Sequence, residues 1–256
     1  MEHRVRINWV GAAGVIAAAV VLSVTASAMM VSRAYVKRGE VAARGPQEIT
    51  VKGYARTRVR SDLAQWTILV RGRGDDLASA FGQLESGAGR VRAFLSSRGF
   101  INDAVSLAAI ETTTHYELDD RGRSTSQIVG YTLSQSITVR SNDVDAIASA
   151  AGKVTDLLEE GISVVSYAPE YYFTGLEDLK IALAGDAAAN ARQRADAIAT
   201  ESGSRVATVS SAHMGVIQIT RPNSTEVSSY GIYDTGTIDK DVSVVVTLTL
   251  ALEQAD

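Results

Sequence analysis

The feature that most constrains this chain lies near its start, where twenty-three residues from Trp9 to Val31 pass without one charged side chain. At about 1.5 Å of helical rise per residue the run reaches ~35 Å, against roughly 30 Å of bilayer hydrocarbon. A helix of that length spans a membrane. Arg4 and Arg6, with Ala26-Ser27-Ala28, also fit a leader cleaved after Ala28. The run continues past that point to Arg33, Lys37 and Arg38, placed as an interfacial stop. The preferred reading is therefore a short tail over 1–8, a transmembrane helix over 9–31, a basic linker over 32–47 and a folded body over 48–256. Flanking charge favours a cytoplasmic body, with Arg33, Lys37, Arg38 and Arg44 after the run against Arg4 and Arg6 before it. Long domains, however, translocate largely regardless of such charge. Gly11, Gly14 and Ala18 would let neighbouring helices approach closely, although a generic apolar anchor is the plainer account.

The body has the composition of a globular protein: over 256 residues, 46% are hydrophobic and 21% charged, which excludes disorder and fibrous repeats. With no Cys there is no disulfide framework, thiolate zinc site or cysteine nucleophile. The net charge is −4, and residues 1–44 hold six basic against two acidic side chains, so the rest carries −8. An acidic body does not suit a phosphate backbone, and nucleic acid is not an expected partner.

Periodicity supplies the elements. Ile49, Val51, Gly53, Ala55 and Val59 alternate with Lys52, Arg56, Arg58 and Arg60, the pattern of a half-buried strand. Ser61-Asp62 reads as a tight turn in which Asp62 satisfies turn amides. A second strand places Ala64, Trp66, Ile68 and Val70 on its inner side. Asp75-Asp76 caps a helix whose stripe is Leu77, Ala80, Phe81, Leu84, Ala88, Val91, Phe94 and Leu95, ended by Gly99. Strands over 105–118 and 127–139 make a hairpin around Asp119–Arg123. Asn142 or Asp143 opens a helix through Ile147, Ala151, Val154 and Leu158. Residues 162–173 are extended, and Thr174 to Glu177 has the form of a capping box before an Ala-rich helix to about Ser202. A strand over 206–219, a Ser/Thr-rich loop over 220–240 and a strand alternating Val242, Val244, Val246, Leu248, Leu250 and Leu252 complete the body. The fold class expected is α+β, antiparallel strand pairs with helices on one face.

No catalytic or metal-binding constellation emerges. Arg71 to Asp76 lacks the third glycine and Lys-Ser/Thr of a phosphate cradle and reads as a strand-to-helix turn. His115 beside Tyr116 and Glu117 reads as a surface histidine, because strand neighbours point to opposite faces. His213 has no acidic neighbour, and Asp119-Asp120 is a solvated turn without a calcium-loop frame. Trp66 reads as core. The basic row Lys52, Arg56, Arg58 and Arg60 either pairs with acids on a neighbouring strand or meets another subunit's acidic surface or anionic lipid. Arg33, Lys37 and Arg38 join it as candidate lipid contacts. Arg192 and Arg194 point in different directions on one helix.

The residues carry a resemblance. Ile49-Thr50-Val51-Lys52-Gly53, Ser61 to Trp66, Gly99-Phe100, Val129-Gly130-Tyr131, Tyr172 to Lys180, Asn190-Ala191-Arg192 and Ser202-Gly203-Ser204 together resemble the SIMPL family, bacterial proteins named for a signalling molecule that associates with a mouse pelle-like kinase. The similarity runs from 48 to 252 and is greatest to the membrane-anchored subgroup. Two departures stand out: Ser61 where many relatives have Pro or Ala, and Tyr233 to Thr237 in place of a Pro-Gly pattern. The resemblance implies an inner-membrane anchor, a body facing the periplasm, homo-oligomeric rings in some relatives and a loose link to envelope or oxidative stress. The expected protein is non-enzymatic, without cofactor or metal, with itself and membrane lipid as partners. It hides the edges of its sheets by ring closure, strand 242–252 included. The alternative is a monomeric extracytoplasmic binding or signalling module.

Overall fold

The computed structural model describes residues 27–33 and 47–254. Residues 1–26, with Gly11, Gly14 and Ala18, and linker residues Lys37 and Arg38 lie outside the described residues. The expected transmembrane helix falls mostly there. A helical stretch, α1, covers 27–33, with Met29, Met30, Val31 and Arg33 all exposed. No helix among the described residues is long and apolar enough to cross a membrane.

The body is α+β. Its elements run β1 (Glu48–Arg60), β2 (Leu63–Gly74), α2 (Leu77–Ser96), β3 (Val105–Leu107), β4 (Glu111–Leu118), β5 (Ser124–Ser141), α3 (Val144–Lys153), β6 (Ser163–Ser166), β7 (Glu170–Tyr172), α4 (Leu176–Glu201), β8 (Ser204–Met214), β9 (Gln218–Thr220), β10 (Ile232–Tyr233) and β11 (Asp239–Gln254). Two compact units comprise them. The larger is Val51–Arg194 with Ala212–Leu248; the smaller contains Ala195–Ser211 and the chain beyond Leu248.

In the larger unit one sheet has β5 and β2 at its centre, antiparallel from Ala64↔Ser141 to Gly74↔Tyr131. β3 and β4 lie outside β5, and β6 and β7 outside β2. The alternation in β2 buries Ala64, Trp66, Ile68 and Val70 completely, against Leu133, Ile137 and Val139 of β5 and the helices α2 and α3. Each large side chain so buried contributes roughly 1.5–3 kcal/mol. Trp66 is core, as expected, and its indole N–H donates to Ser166 Oγ at 3.1 Å. Gly72 belongs to β2 and not to a turn. A Cβ there would lie 2.3 Å from Ala80 O, so the glycine lets α2 lie directly on the strand.

Both capping aspartates behave as expected: Asp76 accepts from Ser79 N and Asp143 from Ala146 N. Two stripes are narrower than the sequence suggests. Leu77 and Phe81 are exposed, and the buried row of α2 is Ala80, Leu84, Ala88, Val91 and Leu95. After α3 the chain tightens into a 3₁₀ turn over Val154–Leu158, which rotates Leu157 into the core and leaves Leu158 outside. The expected strand over 105–118 is two, β3 and β4, both paired with β5.

The second sheet has the order β1-β11-β9-β10, with β8 also pairing β11. The β9–β11 ladder and every ladder of the first sheet are antiparallel, and the two-residue β9–β10 ladder is parallel. β11 buries Val242, Val244, Val246 and Leu248 as its alternation requires, but it is a central strand flanked on both sides. The expectation that it forms an edge needing cover by ring closure is therefore corrected. In α4, Leu183, Ala187 and Ala191 repeat every fourth residue on the buried side, and Gly53 of β1 fits against them: a Cβ there would stand 2.0 Å from Ala187 O.

The capping box is also corrected. Thr174 gives its amide (2.8 Å) and hydroxyl (2.7 Å) to the carboxylate of Asp62, 112 residues away, while Glu177 takes Lys180 at 2.6 Å. Asp62 thus ties the approach to α4 onto the β1–β2 connection instead of closing its own turn. In the smaller unit Leu252 N donates to Gln47 O, Arg205 pairs with Glu253 at 2.9 Å, and Ala195 and Ala199 are fully buried.

Candidate functional site

The basic row of β1 leads to the site. Arg56 and Arg58 project from one face of the strand and share a single carboxylate, that of Asp241 at the start of β11. Asp241 is 3% exposed, and Arg58 Nε reaches it at 2.9 Å. Arg60 leaves this group, meeting Asp145 at 2.6 Å and Asp239 at 3.6 Å. Three of the four basic residues thus pair with acids inside the chain, two of those acids on the neighbouring strand β11. Lys52 is exposed; its carbonyl accepts from Arg194 Nη1 at 3.0 Å. Arg192 has no ion pair among the described residues.

Asp241 also accepts the backbone N–H of Asn223 at 2.8 Å, and Asn223 Oδ1 accepts from Arg58 at 3.1 Å. Asn223 sits at φ 61°, a left-handed conformation that asparagine tolerates better than most residues. The hydrogen bond from Arg58, the Asn223 amide and the charge of Arg56 together outweigh burial and hold the Asp241 carboxyl down to about 2.

The expected loop over 220–240 is tied at three points. Gln218 bridges to Ser228, donating to its carbonyl at 2.8 Å. Asn223 is held on Asp241. Lys240, 1% exposed, donates to Asp234 O at 2.6 Å, Thr237 O at 2.7 Å and the Asp234 carboxylate at 3.3 Å. Burial pulls the Lys240 ammonium below its ordinary value, with Asp234 opposing. Burial also resists ionisation of Asp234, but Thr237 and Lys240 prevail and lower its carboxyl. A buried ammonium facing three acceptors is a structural clamp, one that nothing in the local sequence announces.

Held this way, residues 224–227 stand over the sheet face opposite α4. They enclose a cavity of about 260 Å³ with Tyr54 and Arg56 of β1, Asp241 and Ser243 of β11, and Gln218 and Thr220 of β9. Register places Thr220 beside Asp241 and Gln218 beside Ser243, so the floor is three strands wide. The hydroxyls of Tyr54, Thr220, Thr225 and Ser243 have no hydrogen-bond partner among the described residues. A second, more apolar hollow of about 480 Å³ lies between the start of α4 and residues 214–219 and 230–233.

The remaining candidates stay apart. His115 Nε2 meets Thr132 Oγ1 at 2.7 Å, and His213 is exposed on β8. Asp119 accepts from the backbone amides of Arg123 and Arg121 and from the Arg123 guanidinium, which lowers its pKa. Among the described residues no group of three or more His, Cys, Asp or Glu is placed to hold a metal ion.

The cavity escaped the sequence reading because its floor comes from β1, β9 and β11. The signal available was phase: Tyr54 and Arg56 share one side of β1, and Ser243 the polar side of β11.

No curated protein matches the chain. The family model SIMPL, described as "Protein of unknown function (DUF541)", matches residues 49–250, well over half of the chain. The chain belongs to the SIMPL family.

Proposed function

We propose that this SIMPL protein is a non-enzymatic, membrane-anchored building block whose body self-associates into a closed homo-oligomeric ring on the extracytoplasmic side of the inner membrane. The observation that carries the reading is β8. It is eleven residues long, among the described residues it pairs only with β11, and residues 206–214 contain no Lys, Arg, Asp, Glu or Pro. Open edges are ordinarily blunted by charge, proline or brevity, because their free N–H and C=O groups template further pairing. An unguarded strand of this length fits an edge that another copy covers. β4 is a second, unlike edge, with Tyr116 and Leu118 exposed near its end. Two unlike edges permit head-to-tail joining, which makes a ring when the rotation closes. The uncharged run 9–31, and the exposed Met29, Met30 and Val31 within it, support the lipid anchor.

Light scattering coupled to size exclusion, on the full chain in detergent, tests assembly. A discrete oligomer is expected, and Val209→Lys, which charges the edge, shifts it toward monomer. A monomer at micromolar concentration refutes the ring. A reporter fused after Asp256 tests orientation; activity confined to the cytoplasm refutes the localisation. The second reading, a monomeric binding module, is favoured by the loop-covered cavity beside Asp241.

A further inference from the structure

From the cavity under residues 224–227 we infer that this chain binds a small, uncharged polyhydroxy compound, the size and chemistry of one sugar ring. The inference deepens the binding-module reading and holds whether or not the chain assembles.

Size comes first. About 260 Å³ lies below the roughly 300–1,000 Å³ of pockets that take drug-sized ligands, so one ring fits and an extended chain does not.

Charge comes second. Each ionised group on the wall is already paired: Arg56 shares Asp241 with Arg58, and Glu226 faces Arg221 at 3.2 Å. A carboxylate or phosphate entering would meet Glu226, and a cation would meet Arg56. Neither sign of charge enters without facing a like charge.

Hydrogen-bonding capacity decides the class. Tyr54, Thr220, Thr225 and Ser243 each present a hydroxyl without a partner among the described residues, able both to donate and to accept. The Arg56 guanidinium spends one of its five N–H donors on Asp241. Such a wall matches a ligand that is itself a ring of hydroxyls. Thr220, 7% exposed, lines the floor of the cavity. The Tyr54 ring is half exposed and offers an apolar plane for the C–H face of a sugar.

Saturation-transfer NMR tests this on the full chain in a detergent with no sugar headgroup. The probes are methyl glucoside and N-acetylglucosamine, with citrate and inorganic phosphate as charged controls. Transfer to sugar ring protons is expected, with Kd on the order of 1 mM for a ligand of this few atoms. Thr220→Val keeps the shape and removes the hydroxyl, and Tyr54→Ala removes an exposed ring; each weakens binding about tenfold, the scale of one lost hydrogen bond. Circular dichroism checks that both variants keep their fold. The inference is overturned if neither sugar shows transfer at about ten times that concentration, if the variants bind as the wild type does, or if citrate or phosphate competes for the same site. Sizing the same sample separates this from assembly: a monomer that binds sugar refutes the ring alone, and an oligomer without transfer refutes the site alone.

Discussion

Replacing Asp241 with Asn tests how β1, β11 and the covering loop are held together. The carboxylate is 3% exposed and answers two guanidiniums and one backbone amide, and its pKa falls from the usual 3.8 to about 2. At ~1.4 kcal/mol per unit the shift corresponds to at most about 2.5 kcal/mol of stability. The arginine side chains are 37% and 51% exposed, so water screens part of it, and about 1–2 kcal/mol is the working figure. Because the folded pKa is the lower one, this stability is complete above pH ~4 and disappears as pH falls through ~2. Asp241→Asn removes it at every pH. Urea unfolding of the full chain, followed by circular dichroism, should therefore show the variant weaker by about 1–2 kcal/mol at pH 7, roughly half a molar in midpoint. The gap should close as pH approaches 2. A deficit equally large at pH 7 and pH 2.5 would show that shape, and not charge, sets the effect, and would refute the argument.

Ser61 Oγ is buried and has no partner among the described residues, so Ser61→Ala removes an unanswered hydroxyl and should raise the melting temperature, with a gain of about 1 kcal/mol; a lower melting temperature contradicts this. Gly53→Ala would drive a Cβ to 2.0 Å from Ala187 O and should cost at least ~3 kcal/mol or displace α4, read as lost amide-exchange protection in that helix. Lys240→Met leaves the carbonyls of Asp234 and Thr237 without their donor and should cost about 2–3 kcal/mol, with proteolysis between 221 and 238 increasing before the rest of the body opens.

What could be read from the chain followed the range of each interaction. The alternation in β1, β2 and β11 and the caps at Asp76 and Asp143 are local, and the sequence shows them directly. The charge row on β1 implied acids on an adjoining strand, because four like charges in line repel; Asp239 and Asp241 are two such acids. Long-range pairing was not legible. Thr174 with Glu177 three residues on has the local form of a capping box, yet Asp62, distant in sequence, takes its hydroxyl. β11 reads equally well as edge or centre, since alternation reports which face is buried and not how many neighbours flank a strand. The clamp at Lys240 and the left-handed Asn223 depend on a loop folding back over a sheet, and the same fold-back makes the cavity.

The row Leu183, Ala187, Ala191 on α4 has a consequence for registry. Sliding the helix by four residues would exchange Ala187 and Ala191, so at these two positions apolar contact scarcely tells one docking position from the next, and along this row only Leu183 differs in size. Besides Leu183, selection falls to three pins: Thr174 on Asp62, Asn190 on the amide of Tyr54, and Arg194 on the carbonyl of Lys52. A chain with those pins removed would keep its helix content while losing a unique alignment.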